Sequence, residues 1–219
     1  DMCDYISLAD IRRREFGEMA TWLFDNGGEG LSDIARAENR ILASYLKGLG
    51  HKCLGICCGN HEASIEKYSE HDAYSAQVEM LADGANEHRL EHRGMLLLRF
   101  KRNEGTTWTV PILATHGSGN GEAVGAIDNR LKYMIDQLDG IRLVYAGHWH
   151  SFGQVPVVRT APGQGQSKDI TVWGYGVPSV CSDMKDTEDK DKRHLVMGYW
   201  ETFITPDKEK IESRFVEVR

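Results

Sequence analysis

No long hydrophobic run occurs in this 219-residue chain, and the longest apolar pieces, such as Met95–Leu98, are only strand-sized. Nothing in it is long enough to span a bilayer. Positive charge is also short: 26 Lys and Arg stand against 33 Asp and Glu, for a formal net charge of −7. No global positive field draws the protein to nucleic acid, which excludes an architectural DNA binder but not a nuclease with a local basic groove or bound cations. The five cysteines are odd in number, and Cys53, Cys57 and Cys58 crowd into one apolar run. That pattern argues against a disulfide framework and for a reducing, cytoplasmic setting. No internal repeat, linker or signal peptide is visible, although residue 1 is Asp rather than Met, which predicts that the native start lies upstream.

What is there is globular: 41% hydrophobic and 27% charged residues. The length suits a single domain, 1–219. Ser7 to Asp25 predicts a helix broken by Asn26-Gly27-Gly28. Ser32 is the expected N-cap of a second helix, carrying Ile34, Ile41, Leu42, Tyr45 and Leu49 and stopped by Gly48 and Gly50. Together these predict a helical insert at about 5–50. The run Cys53 to Cys58 then predicts a buried strand. Strands are expected at Met95–Phe100 and Thr107–Thr115, joined by a hairpin at Asn103-Glu104-Gly105. Ile127, Leu131, Met134, Ile135 and Leu138 make a helical stripe closed by Gly140, followed by a strand from Leu143 to Ala146. Beyond residue 150 the pattern is mostly β, with Ile170–Tyr175, Leu195–Ile204 and Ile211–Val218 named as strands. Asp183 to Arg193 is a charge run that predicts a solvated loop. Helix–strand units followed by β-hairpins imply two sheets with helices outside.

Three apolar segments end abruptly in Gly and His. Cys57-Cys58 leads into Gly59-Asn60-His61-Glu62, Thr115 into His116-Gly117, and Ala146 into Gly147-His148-Trp149-His150. Ligands in α/β sheets collect outside the carboxyl ends of strands, so these clusters are expected to converge. His116, His148 and His150 are imidazoles suited to a transition metal, and Asn60 offers a carbonyl oxygen. The carboxylates of Asp1-Met2-Cys3-Asp4 could bridge two cations. His51, Cys53, Cys57 and Cys58 could be imagined as a zinc site, but neighbouring strand residues point to opposite faces, so buried thiols are the better reading. Gly117 to Gly121 could cradle a phosphate through backbone N–H groups, while Arg130 and Lys132 read as helix surface and Trp149 as a packing residue. His71, His88, His92 and His194 have no motif context.

The ordered Gly-Asn-His-Glu, strand-end His-Gly and Gly-His-x-His motifs resemble the calcineurin-like metallophosphoesterase superfamily, over Asp1 through His150. The stretch from His116 looks most like a phage and bacterial branch. The resemblance implies a four-layer α/β/β/α sandwich of two mixed β-sheets flanked by helices. It implies a phosphoric ester hydrolase that uses a dinuclear metal centre and bridging hydroxide on phosphomono- or diesters, nucleic acid among them. Asp1 would bridge two divalent ions, with Mn2+ first and Zn2+, Fe2+ or Ni2+ as alternatives. Asn60, His116 and His148 would bind one of them and His150 the other. His61 would be the residue that stabilises phosphoryl oxygens or protonates the leaving group. Asp1 to Asp4 looks like the family's second motif with its glycine cut off, so the Asp-x-His motif and the N-terminal strand are expected upstream of Asp1. The expected partner is a phosphoester substrate, with no membrane; the net charge gives no sign of nucleic acid, and the oligomer is not read. A catalytically inactive metal-binding scaffold of the same fold is the alternative.

Overall fold

The computed structural model describes residues 34–69, 72–81, 88–119, 125–149, 151–161, 167–178 and 197–218. The chain divides into two compact units, Asp1–His92 and Arg93–Arg219. The predicted helix at Ser7–Asp25, the Ser32 cap and the charge run at 183–193 lie outside the described residues. No described helix is long and apolar enough to cross a membrane.

In the first unit, α1 (Ile34–Leu46) passes into a 3-10 turn at Lys47–Lys52, so the second predicted helix ends before Gly48. The run Cys53–Cys58 is extended but is not the expected strand. It has one isolated bridge, Ile56 to Arg89, supported by Ile56 N–H to His88 O (2.9 Å) and Leu90 N–H to Ile56 O (3.0 Å). The Tyr74 hydroxyl staples this pairing, donating to Ile56 O and accepting from Glu91 N–H, both at 2.9 Å. Two helices that apolar periodicity does not mark follow: α2 (Asn60–Ser69) and α3 (Ala73–Leu81). Caps start them. Glu62 returns to Gly59 N–H at 3.0 Å, and Asp72 accepts from Ser75 N–H at 2.8 Å. Ile56, Cys58, Tyr74 and Val78 form the small core of this unit.

The second unit is mixed α/β. β1 (Arg93–Lys101), β2 (Thr107–Thr115), β3 (Leu143–Ala146), β4 (Gly153–Ala161) and β5 (Lys168–Gly176) form a sheet in the order β1-β2-β3-β5-β4. β2, β3 and β5 run parallel in the centre, and β1 and β4 are antiparallel edges. β1 to β3 stand close to their expected bounds, and the turn at 102–106 closes through Arg102 N–H to Thr106 O at 2.8 Å. β4 was not among the named strands. Its Pro156 breaks the strand signal, and an edge strand is where a proline is tolerated.

α4 (Ala126–Asp136) packs one face of this sheet, pressing Ile127, Leu131 and Ile135 against Val144, Val172 and Leu113. The opposite face is covered by an antiparallel hairpin of β6 (Gly198–Thr205) and β7 (Lys210–Glu217). There Trp200, Ile204 and Ile211 pack on Trp108, Val110, Ile112, Leu143 and Tyr175. Trp200 Nε1–H donates to Gly176 O at 3.0 Å, and the Tyr145 hydroxyl meets that of Thr202.

Glu209 clips the hairpin turn to the sheet, taking Arg102 Nη1 and Lys168 Nζ each at 3.0 Å. Asn103 N–H holds the neighbouring Asp207 carboxylate at 3.0 Å. The Lys168 hydrogen bond, with the charges of Lys168, Arg102 and Arg142, lowers the Glu209 pKa. A lowered folded-state pKa adds stability above the carboxyl's unfolded value, and that stability is lost as pH falls through the folded one. Glu209→Gln should therefore unfold more easily than the parent at pH 7, by at most about 1 kcal/mol because the group is partly exposed. The two denaturation curves should converge as pH falls below the ordinary carboxyl range.

Candidate functional site

The carboxyl ends of β2 and β3 lie side by side, because the two strands are parallel neighbours with Thr115 opposite Ala146. The pairing runs on past the strands, with Gly147 N–H donating to Thr115 O at 3.2 Å. The next residues are His116 and His148. His116 Nε2 and His148 Nδ1 are 3.0 Å apart, their rings meet edge to face, and His116 is 6% exposed. Gly117 allows this approach. Its φ is +89°, and a Cβ there would stand 2.5 Å from Gly147 O. His148 itself has φ +72°, a left-handed conformation that is uncommon for a residue with a side chain.

Two imidazole nitrogens this close can do one of two things. One ring can donate its N–H to the lone pair of the other, or both can turn lone pairs toward one cation. The second arrangement needs His116 as its Nδ1–H tautomer and His148 as its Nε2–H tautomer.

Gly59-Asn60-His61-Glu62 belongs to the first unit and forms the start of α2. Gly59 is the N-cap, Asn60 is exposed at the first helical position, and His61 is half-buried at the second. Glu62, 1% exposed, closes the cap on Gly59 N–H and accepts from Gln77 Nε2 at 3.3 Å. Sequence reasoning quoted Glu62 within the motif and gave it no task. Its signal was the acidic side chain three residues after Gly59, half of a capping box. The cap holds the first turn, and so the direction in which Asn60 and His61 leave the backbone.

Two of the three thiols in the cysteine-rich run are held in their protonated form. Burial pushes the Cys57 and Cys58 thiols up to about 11, with nearby Glu62 adding to the rise at Cys58. Thiols that stay protonated at neutral pH are poor ligands for a metal. Asp1 and His150 lie outside the described residues, as do His71, His194 and the loop from Asn120 to Val124. Among the described residues no three His, Cys, Asp or Glu side chains gather as an ion-holding group. Trp149 packs as expected, at 6% exposure, and Lys132 is exposed on α4. Arg130 differs from the helix-surface expectation: it is half-buried and reaches back to the loop that follows His116.

No family model, curated protein or solved structure matches the chain.

Proposed function

We propose that the chain is a metal-dependent phosphoesterase, built on the four-layer α/β/β/α sandwich that its motifs imply. The observation that carries this reading is the 3.0 Å approach of His116 Nε2 to His148 Nδ1 at two adjacent strand ends. At this separation the two lone pairs could turn toward one divalent ion, of which Mn2+ is the first choice for imidazole and carboxylate donors. The motif resemblance, and not the geometry, assigns Asp1, Asn60, His116 and His148 to one ion and Asp1 with His150 to a second. When bound, the ions supply positive charge that activates water and offsets the charge on phosphoryl oxygens.

The chain's own residues do the rest. His116 and His148 would present lone pairs from the loops that leave two paired strand ends. The resemblance gives His61 the task of stabilising phosphoryl oxygens or protonating the leaving oxygen. Gly117, where a Cβ would collide with Gly147 O, lets the two histidine loops close on each other.

The test is hydrolysis of a panel of phosphomonoesters and phosphodiesters with added Mn2+, by the parent chain and by His116→Ala and His148→Ala. Metal-dependent hydrolysis that both substitutions abolish is the expected result. Ion binding without hydrolysis of any ester would favour the scaffold alternative. Hydrolysis that survives both substitutions and a chelator would overturn the reading.

A further inference from the structure

Two side chains without a task in the phosphoesterase reading meet on one carbonyl oxygen. Trp149 directly follows His148, and its indole N–H donates to Ser118 O at 3.1 Å. The Arg130 guanidinium, reaching from α4, donates to the same Ser118 oxygen. It also lies over the Trp149 ring, 5.8 Å from its centroid, and fills the space that a Cβ on Gly119 would need. Ser118 is two residues past His116. Three segments are thus tied at one point: the loop carrying His116, the loop carrying His148, and α4.

The tie has strain to hold. A side-chain-bearing residue at φ +72° costs on the order of 1 kcal/mol or more, and persists only where its surroundings over-determine it. On one side of His148 the chain is anchored by Gly147 N–H on Thr115 O, so a change of φ at His148 would swing the residues that follow it. On the other side stands Trp149, buried and hydrogen-bonded. If His148 relaxed to negative φ, the chain direction at Trp149 would change and the indole would leave Ser118. Arg130 closes that exit from above the ring.

We propose that Trp149 and Arg130 are positioning residues that keep the His148 backbone left-handed, and so keep its Nδ1 within 3.0 Å of His116 Nε2. The functional weight of this clasp rests on the reading that the histidine pair holds an ion, because a chelating pair gains affinity only if it is arranged before the ion arrives.

Trp149→Phe keeps a buried ring and removes the N–H; Arg130→Met keeps the stem and removes the guanidinium. Each should weaken Co2+ and Mn2+ binding by about tenfold or more, read by calorimetry and by the visible spectrum of Co2+. The double variant should lose little beyond either single one, since both act on one oxygen. Thermal midpoints should stay close to the parent's. In a crystal structure of Trp149→Phe, His148 should turn to negative φ and draw away from His116. Unchanged ion affinity in both variants would overturn the clasp. So would a Trp149→Phe structure that keeps φ near +72° and the 3.0 Å approach, whether or not the protein binds ions. A parent chain that binds no ion, but whose Trp149→Phe structure loses the approach, would leave the clasp standing and overturn the metal reading instead.

Discussion

His61→Ala should slow phosphoester hydrolysis on the order of 10²-fold or more while leaving ion affinity unchanged. The split follows from where the side chain acts. A ligand binds its ion in the ground state, so its loss empties the site and the rate falls with occupancy. A donor aimed at phosphoryl oxygens acts on charge that grows only in the transition state, so its loss appears in kcat. His61 stands at the second position of α2, one residue after Asn60 and one before the capping Glu62. Because the cap uses Gly59 and Glu62, removing the imidazole leaves the helix start intact. Measuring kcat and Mn2+ affinity on one preparation decides the matter. Equal loss of both would make His61 a ligand and overturn its assignment.

Leu131→Ala should cost the second unit about 2–5 kcal/mol. Leu131 is fully buried at the centre of the α4 stripe, where it packs with Val144, Val172 and Ile135. Truncation removes its buried methyl groups and leaves a cavity that a sheet on one side and a helix on the other cannot close. For a unit of this size the loss lowers Tm by roughly 10 °C. Tyr133→Ala is the control, since Tyr133 is 66% exposed on the same helix and alanine is the better helix former. Chemical denaturation of both variants is the measurement. A Leu131→Ala cost no larger than that of Tyr133→Ala would mean that α4 does not seal the core.

Where burial alternates or recurs with a clear period, the elements could be read directly. β1 and β2 alternate between exposed and covered positions, and Ile127, Leu131 and Ile135 mark the buried side of α4. The readings failed where another cause dominated. Cys53–Cys58 has the composition of a buried strand, but its bridge is a single pairing, Ile56 with Arg89. Only Ile56 and Cys58 of the run are buried and Leu54 is exposed, and strand formation also needs a long neighbour. α2 and α3 are started by carboxylate caps at Glu62 and Asp72, and β4 is obscured by Pro156.

From the sequence alone it followed that His116 and His148 stand at strand ends, because the runs before them have strand composition; the same ending after Cys58 opens a helix instead. The same holds for the hairpin at Asn103-Glu104-Gly105, whose signal is local. Which strands are neighbours was decided only by the tertiary structure. The order β1-β2-β3-β5-β4 sets β2 against β3 in register, and that register brings His116 and His148 to 3.0 Å. Strand pairing is made by backbone hydrogen bonds between distant segments, and those bonds carry no side-chain signature. The left-handed backbone of His148 is likewise a tertiary result. Histidine tolerates positive φ better than most residues, but nothing in the sequence marks position 148 for it, and the Ser118 carbonyl that meets Trp149 and Arg130 comes from 31 residues away along the chain from Trp149.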